Sequence, residues 1–178
     1  MPELIPAMTR VHRSWLDALA EPEYEPRWAE DLDLTRLADP LQFDAYVAGQ
    51  RAQAGNDTAR PPGWVPATYL WYVDGSEFLG RLSIRHRLTP WLFEYGGHVG
   101  YDVRPSARRR GHATAMLQLA LPWCRALGIE PALVTCDVDN IPSRRVIEHA
   151  GGQFEDERDG KLRFWVPTRV PQSVEDVG

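Results

Sequence analysis

The stretch that decides the fold is residues 101–117, YDVRPSARRRGHATAML. It opens with the end of an alternating segment, His98–Val103, which is typical of a strand. From Arg110 to Leu127 apolar residues recur at helical spacing until Gly128, which predicts a long amphipathic helix. A strand, a tight turn and a helix in this order are the building unit of an α/β protein.

The turn between that strand and that helix has the composition of an anion-binding site. A helix start presents unpaired N–H groups and about half a positive charge, for which phosphate oxygens are natural ligands. Arg108, Arg109 and Arg110 add charge, and the small residues Gly111 and Ala113 let a phosphate approach the backbone. Small residues that only pack and arginines that only face solvent produce the same pattern, so both interpretations stay open from these residues alone.

The segments on either side of this unit predict a mixed sheet. Upstream, Thr68–Val73 and Phe78–Arg87 are rich in β-branched and aromatic residues and form a hairpin around an Asp-Gly turn. Downstream we predict a buried strand, a helix and a last hairpin, at Ala132–Cys136, Ile141–Ala150, and Gln153–Glu157 with Leu162–Val166. The predicted class is therefore α/β (α+β), with a mostly antiparallel central sheet and helices on both faces.

The N-terminal third is predicted to be helical. Thr9 can cap a helix over Arg10–Ala20, and a second helix covers Leu41–Ala54. A loop rich in proline and glycine, Gly55–Ala67, then leads to the core at residues 68–166. A chain of 178 residues fits one domain, so we expect a single domain over 1–178, with a loose tail after Pro167.

Composition excludes several classes of protein. The net charge of -5 disfavours general nucleic-acid binding. No apolar run reaches the ~20 residues of a membrane helix, and residues 1–10 lack the pattern of a signal peptide. Two cysteines, Cys124 and Cys136, are too few for a disulfide framework, and no cluster of metal ligands is visible. We therefore expect a cytoplasmic protein with no metal, nucleic acid or membrane partner.

The turn and the segments after it resemble the GNAT superfamily of N-acyltransferases. The pyrophosphate motif of that family is Gln/Arg-x-x-Gly-x-Gly/Ala between a strand and a long helix, and here Arg108-x-x-Gly111-x-Ala113 lies in that setting. Asn140-Ile-Pro-Ser143 is similar to the family's Asn-x-x-Ala/Ser, and Glu148-His-Ala-Gly-Gly152 resembles its Tyr-Glu-Lys-x-Gly-Phe ending. Roughly Thr68–Val166 follows the family's order of elements, and a bacterial subgroup of acetyltransferases is similar from Pro66 onward.

The resemblance implies an acetyl-CoA-dependent N-acetyltransferase. Its acetyl group passes from the thioester to a primary amine by direct attack in a ternary complex. The pantetheine arm lies along the central strand, where two strands of the sheet splay apart. The residues that the resemblance assigns to the cofactor are Tyr101, Asp102, Val103, Arg108, Arg109, Arg110, Gly111, His112, Ala113, Thr114, Asn140 and Ser143. Many relatives form dimers, which leaves a homodimer open.

Three side chains are candidates for the proton transfers. His98 is the first choice as base, because it begins the strand beside the thioester and histidine titrates near neutral pH. Glu94 is the second choice, since related enzymes often have a glutamate near this place. Ser143 is a candidate donor to the leaving sulfur, because Ile147 occupies the position of the family's usual tyrosine acid. A purely structural role is the alternative for each of them.

The sequence leaves the acceptor and two other functions open. The acceptor side is predicted at the N-terminal helices and the loops around Trp64 and Trp91. A small-molecule amine, a protein N-terminus and a lysine all remain acceptor classes. A non-catalytic acyl-CoA-binding sensor is the alternative function, supported by the vacant acid position at Ile147. A nucleic-acid binder that uses the arginine cluster is a third hypothesis, against which the net charge argues.

Overall fold

A seven-stranded sheet forms the centre of the protein, whose computed structural model describes residues 1–169. Its strands are β1 (Glu3–Pro6), β2 (Ala67–Asp74), β3 (Glu77–Arg85), β4 (Val99–Val103), β5 (Ala132–Asp137), β6 (Gln153–Arg158) and β7 (Lys161–Val166). Their order in the sheet is β1-β2-β3-β4-β5-β7-β6. All neighbouring strands are antiparallel except β4 and β5, which are parallel. The predicted mixed, mostly antiparallel sheet is confirmed.

Helices cover both faces of this sheet. Within residues 1–169 the α-helices are α1 (His12–Leu19), α2 (Leu34–Leu37), α3 (Pro40–Ala52), α4 (His112–Ala126) and α5 (Ile141–His149). Short 3-10 turns occur at Thr9–Val11, Arg27–Ala29 and Pro105–Ala107, and a π-type turn at Leu92–Gly96. None of the helices in this part of the chain has the length and hydropathy of a membrane span.

The two faces bury separate hydrophobic clusters. Successive side chains of a strand point to opposite faces. In β2, accordingly, Leu70 and Tyr72 join the cluster beneath α4 and α5, whereas Trp71 and Val73 join the cluster beneath α1 and α3. Each fully buried large apolar side chain stabilises the fold by about 1.5–3 kcal/mol. This packing explains why the helices of the N-terminal third lie on one face and α4 and α5 on the other.

Strand β1 is the element that the sequence did not predict. Its four residues pair with the edge of β2, with Leu4 opposite Tyr72. A segment this short between two prolines shows no alternation of its own, and its hydrogen-bond partners are more than 60 residues away. The prediction of helices alone as the regular elements of residues 1–60 is therefore corrected by the strand at Glu3–Pro6.

Other boundaries differ by a few residues from those predicted. Helix α4 begins at His112 rather than Arg110, because Gly111 is left-handed, with φ +79°. Thr9 lies in a 3-10 turn, and no side chain caps α1. The predicted loose tail lies mostly at positions 170–178, outside the described residues. The assignment of 1–178 to a single domain stays a prediction.

Candidate functional site

The turn between β4 and α4 presents an uncapped helix start. Gly111 is its N-cap residue, and no side chain accepts a hydrogen bond from the first N–H groups of α4. Arg109, two residues earlier, is also left-handed, with φ +61°. In contrast, Asp39 and Asn140 cap α3 and α5 with their side chains. The N–H groups at the start of α4 are therefore available to an external anion.

Space and positive charge surround this helix start. A Cβ placed on Gly111 would meet no heavy atom within 4 Å. Arg108, Arg109 and Arg110 are exposed, and none of them forms an ion pair with another residue in the range 1–169. The Arg108 Nε donates a hydrogen bond to the Val103 carbonyl at 3.1 Å. The predicted anion site thus has an accessible backbone, room for a phosphate and unneutralised cations.

The remaining predicted residues of the turn lie in the first turn of α4. The His112 ring packs against Tyr72, with ring centroids 5.5 Å apart. Ala113 and Thr114 are half-buried. The His112 side chain is therefore engaged with the sheet, and its backbone N–H is the group it can offer a phosphate.

Strands β4 and β5 diverge next to this turn. They have one pair of Cα partners, Val99 and Val134. Beyond this pair, β4 remains paired with β3 and β5 with β7. The edge of β4 at Gly100–Val103 therefore faces a widening gap, which we call the β4–β5 opening. Its position matches the predicted place where the strands splay apart.

His98 lies at the apex of the β4–β5 opening. Its N–H donates to the Leu133 carbonyl at 2.7 Å, and its ring Nδ1 accepts the Leu133 N–H at 2.9 Å. A ring nitrogen that accepts carries no proton, so the neutral imidazole is protonated on Nε2. Burial, together with the charge of Arg85, lowers the pKa of His98 to about 4. In this arrangement the ring offers an N–H donor, which does not suit the predicted role of base.

Glu94 lies in the π-type turn just before the apex. Both of its carboxylate oxygens accept a hydrogen bond from the Arg158 Nη1, at 2.8 Å each. The neighbouring Tyr95 hydroxyl donates to Asp159 at 2.8 Å. The Glu94 carboxylate is therefore held by an ion pair with Arg158, and its side chain stays 39% exposed.

Ser143 and Tyr101 face each other across the β4–β5 opening. Their hydroxyl oxygens are 2.9 Å apart, and either group can donate. The Ser143 N–H donates to the Asn140 Oδ1 at 3.2 Å, which caps α5. Burial raises the pKa of Tyr101 to about 12, so its phenol stays protonated. Ile147 is fully buried in the core and supplies no proton donor.

The side chain of Asp102 lies on the face of the sheet that is opposite α4. The sequence analysis did not consider which face this side chain occupies. Its carboxylate accepts hydrogen bonds from the Trp28 Nε1 at 2.7 Å and from the Tyr24 hydroxyl. Burial raises the pKa of Asp102, against the lowering effect of these bonds and of Arg81. Alternation along β4, which puts Tyr101 and Val103 towards α4, was the signal that could have shown this placement.

Two further features lie outside this set of residues. An open groove of about 630 Å³ runs along the free edge of β1, and it contains none of the predicted site residues. No group of three or more metal-ligating side chains is found in the part of the chain that the structure describes.

Comparisons with known proteins identify one family and a shared fold. The family model "Acetyltransferase (GNAT) domain" matches residues 9–153. A search of curated proteins found no match to the sequence. RimJ of Mycobacterium smegmatis, solved with CoA-disulfide, has a TM-score of 0.65 at 24% identity, over 93% of this chain and 81% of that one.

Two other solved structures are similar at lower identity. A Vibrio cholerae protein described as a "putative ribosomal-protein-serine acetyltransferase" has a TM-score of 0.63 at 13% identity, over 93% of both chains. The microcin C7 self-immunity acetyltransferase MccE, solved with acetyl-CoA and AMP, has a TM-score of 0.60 at 12% identity, over 93% of this chain and 92% of that one. At such identities these structures show a common fold.

Proposed function

Since the chain belongs to the acetyltransferase (GNAT) domain family, we propose that it transfers the acetyl group of acetyl-CoA to a primary amine. The observation that carries this proposal is the uncapped start of α4, next to the β4–β5 opening. It lies beside three arginines that form no ion pair within residues 1–169. The CoA-disulfide and acetyl-CoA bound to two proteins of the same fold support the choice of cofactor. In the proposal, the pyrophosphate binds the N–H groups of residues 108–113.

The pantetheine arm would follow β4 into the β4–β5 opening. The backbone of Tyr101–Val103 has no strand partner on that side, so its N–H and C=O groups can pair with the amides of the arm. Asn140 and Ser143 lie on the other rim of the opening. The thioester then sits near the apex, beside His98.

The chemistry joins an amine nitrogen to the thioester carbonyl carbon. The C–N bond forms, the C–S bond breaks, and the amine loses a proton as the thiolate leaves. The Nε2–H of His98 is a donor suited to the oxyanion that develops on the carbonyl oxygen. Ser143, hydrogen-bonded to Tyr101, would donate to the sulfur, whose thiol has an ordinary pKa of about 8.5 and leaves readily. Glu94 would take the amine's proton through a water molecule.

Two classes of acceptor amine are suggested by proteins of the same fold. The Vibrio cholerae protein is described as a "putative ribosomal-protein-serine acetyltransferase", a description that supports a peptide amine. MccE acts in microcin self-immunity, which keeps a small-molecule amine open. A homodimer and a cytoplasmic location stay predictions.

Calorimetry with acetyl-CoA and a matched pair of variants tests the cofactor site. Gly111→Trp should abolish binding while the circular dichroism spectrum stays that of the folded chain. Gly63→Trp is the control, because Gly63 is also left-handed, with φ +82°, and has no heavy atom within 4 Å of an added Cβ. It should bind acetyl-CoA as the unmodified chain does. Unchanged affinity in Gly111→Trp would remove the turn from the proposal.

An acyl-CoA-binding sensor without turnover is the second candidate function. The observation that favours it is the engagement of both candidate bases, with His98 accepting from Leu133 and Glu94 paired to Arg158. Thiol release from acetyl-CoA over a panel of amines separates the two functions. Release above the uncatalysed background for any amine supports the enzyme, and binding without release supports the sensor.

A further inference from the structure

A polar strip crosses the face of the sheet opposite α4. Its members are Arg81, Ser83 and Arg85 of β3 and Asp102 of β4, whose neighbours along the strands point into the cluster beneath α4. Arg81 and Asp102 are Cα partners, as are Ser83 and Gly100. Under the proposed function the nucleotide of the cofactor lies on the α4 side. The amine therefore reaches the thioester from the face that carries this strip.

Arg81 is a buried cation without an ion-pair partner anywhere in residues 1–169. It is 8% exposed, and its Nε has no hydrogen-bond partner within that range. Its Nη2 makes one long contact, 3.5 Å to the Gln50 Oε1. The facing Asp102 accepts from Tyr24 and Trp28 instead and forms no ion pair with Arg81. Asp102 is close enough for the charge of Arg81 to lower its pKa against the raising effect of burial, but the two groups are not in contact. A buried guanidinium with an unsatisfied N–H and no contact ion pair is costly, so it favours an anion that binds it directly.

Two aromatic rings hold the Arg81 guanidinium in place. Its central carbon lies 4.2 Å from the centroid of the Tyr69 ring and 4.8 Å from that of Trp28. Rings packed against a planar guanidinium fix its plane and leave its edge N–H groups as donors. Tyr69, Trp28 and Gln50 are half-buried, which places the guanidinium close to the protein surface. A planar carboxylate matches the fork of donors best.

The polar strip also gives the distance between Arg81 and the apex of the β4–β5 opening, where the thioester is proposed to lie. Arg85, at its other end, donates to the carbonyls of Gly96 and Gly97 at 2.9 and 3.2 Å, beside the apex. Four residues of a strand separate Arg81 from Arg85, which is about 13 Å. An extended peptide covers that distance in about four residues.

We propose that Arg81 binds a carboxylate of the acceptor, and that the acceptor is a peptide with a free N-terminus and an acidic side chain within about four residues of it. This inference rests on the proposed function and names its substrate class. The carboxylate supplies the contact ion pair that Arg81 lacks within residues 1–169, while the N-terminal amine lies near the apex. Arg81 then determines which amines are acetylated and takes no part in the bond changes.

The test uses peptides that differ by one functional group. The peptides have five residues and an amidated C-terminus, so that the side chain is their only carboxylate. Ser-Ala-Glu-Ala-Ala and Ser-Ala-Gln-Ala-Ala, and the same exchange at the second, fourth and fifth positions, are compared by thiol release from acetyl-CoA. Loss of a charge-assisted hydrogen bond corresponds to a 10- to 100-fold change. We therefore expect kcat/KM to be about 10- to 100-fold higher for the best Glu peptide than for its Gln partner, mainly through KM.

Variants of Arg81 connect that preference to one side chain. Arg81→Gln should lose the preference for the Glu peptide over its Gln partner, and Arg81→Lys should keep part of this preference. Arg125→Gln makes the same charge change at an exposed position of α4 and should keep all of it. Melting temperature and acetyl-CoA affinity show whether each variant is folded. If Arg81→Gln does not fold, Arg81→Lys and the peptide pair in the unmodified chain still decide.

Failure of this inference is distinct from failure of the proposed function. Equal kcat/KM for the Glu and Gln peptides at every position, or a preference that survives in Arg81→Gln, overturns the role of Arg81. No thiol release from any peptide contradicts the proposed function instead. In that case calorimetry of the same peptide pairs, with acetyl-CoA present, measures the Arg81 contact without turnover. Equal Kd values within every pair then overturn it.

Discussion

The imidazole of His98 acts as a strand partner where β4 and β5 meet. Its Nδ1 accepts the Leu133 N–H that a strand carbonyl would otherwise accept. One histidine thereby satisfies a buried backbone donor at the point where the two strands begin to separate. This role explains how the sheet opens beside β4 without leaving that N–H unpaired.

The pH dependence of stability should report the state of His98. Its folded pKa of about 4 is lower than the ordinary 6.5, so the unfolded chain binds more protons between those values. The contribution of His98 is therefore fully present above pH 6.5 and is lost as the pH falls towards 4, by at most about 1.4 kcal/mol per pH unit. The free energy of unfolding, measured with urea at several pH values, should change less with pH between 4 and 6.5 in His98→Gln than in His149→Gln. His149 is exposed and serves as the control. An equal pH dependence of the free energy of unfolding in the two variants would contradict a neutral, hydrogen-bonded His98. So would an NMR titration that gives the His98 ring a pKa near 6.5.

Gly97 is required by both its backbone conformation and its surroundings. It has φ +64°, and an added Cβ would lie 2.6 Å from the Leu133 carbonyl oxygen. Gly97→Ala should destabilise the fold by the left-handed penalty of about 1–2 kcal/mol and by roughly 2 kcal/mol more for the clash. Gly63→Ala, left-handed but in open space, should cost only the first part. Urea unfolding of both variants measures the difference, and equal losses would mean that the backbone at Gly97 moves away freely.

Helices α4 and α5 differ at their starts in a way that matches their proposed roles. Helix α5 begins with a side-chain cap, in which Asn140 accepts the Ser143 N–H. Helix α4 begins with Gly111 and has no such cap. A capped helix start is satisfied internally, whereas an uncapped one favours an external anion. The element that is locally incomplete is the one proposed to hold the pyrophosphate.

A pair of cap variants separates stability from cofactor binding. Asn140→Ala and Asp39→Ala each remove a side-chain cap, from α5 and α3, and each should lower the free energy of unfolding by about 1 kcal/mol. Asn140→Ala should also weaken coenzyme A binding severalfold in calorimetry, because Asn140 lies on the rim of the β4–β5 opening. Asp39→Ala should not change that affinity. The proposed contact of Asn140 is wrong if the two variants bind coenzyme A equally well.

At the scale of the whole molecule, the segment between α1 and α2 is tied to the strand and turn of the site. Glu21 accepts hydrogen bonds from the Arg104 Nε at 2.5 Å, the Ser106 N–H at 2.9 Å and the Ser106 Oγ at 2.6 Å. A few residues later, Tyr24 and Trp28 bind Asp102. These contacts join positions about 80 residues apart in the chain, so the predicted acceptor-side segment and the proposed cofactor turn are held as one unit.

Glu21 should therefore contribute more to stability than an exposed ion pair does. Its pKa is lowered, because hydrogen bonds from Ser106 and Arg104 outweigh the raising effect of burial. Glu21→Gln should reduce the free energy of unfolding by about 1.5–3 kcal/mol at pH 7. Glu3→Gln, which breaks the exposed pair with Arg10, should cost at most about 1 kcal/mol. Urea unfolding measures both changes. Equal losses of unfolding free energy would show that the contacts of Glu21 stabilise the fold no more than an exposed ion pair does. Because the folded pKa is lowered, the Glu21 contribution is present above pH 4.5 and is lost on acidification below it.

Local patterns predicted most of the core. The strands and helices within residues 68–166 came out within a few residues of their positions, because alternation and helical spacing are written in consecutive residues. Strand β1 escaped prediction because only its pairing with β2 makes it a strand. The surroundings of Arg81 escaped prediction because Trp28 and Tyr69 are separated from it in the chain and meet it only in the folded protein.

The amino-acid sequence by itself determined the strand–turn–helix unit at 101–117 and the order of the core elements. Those properties depend on neighbours in the chain, whose spacing and turn chemistry act locally. Only the tertiary structure decided that His98 is neutral and accepting, that Ser143 meets Tyr101, and that Arg81 is buried without an ion-pair partner within residues 1–169. Protonation and pairing depend on which groups the folded chain brings within hydrogen-bond distance, and distant segments supply those groups.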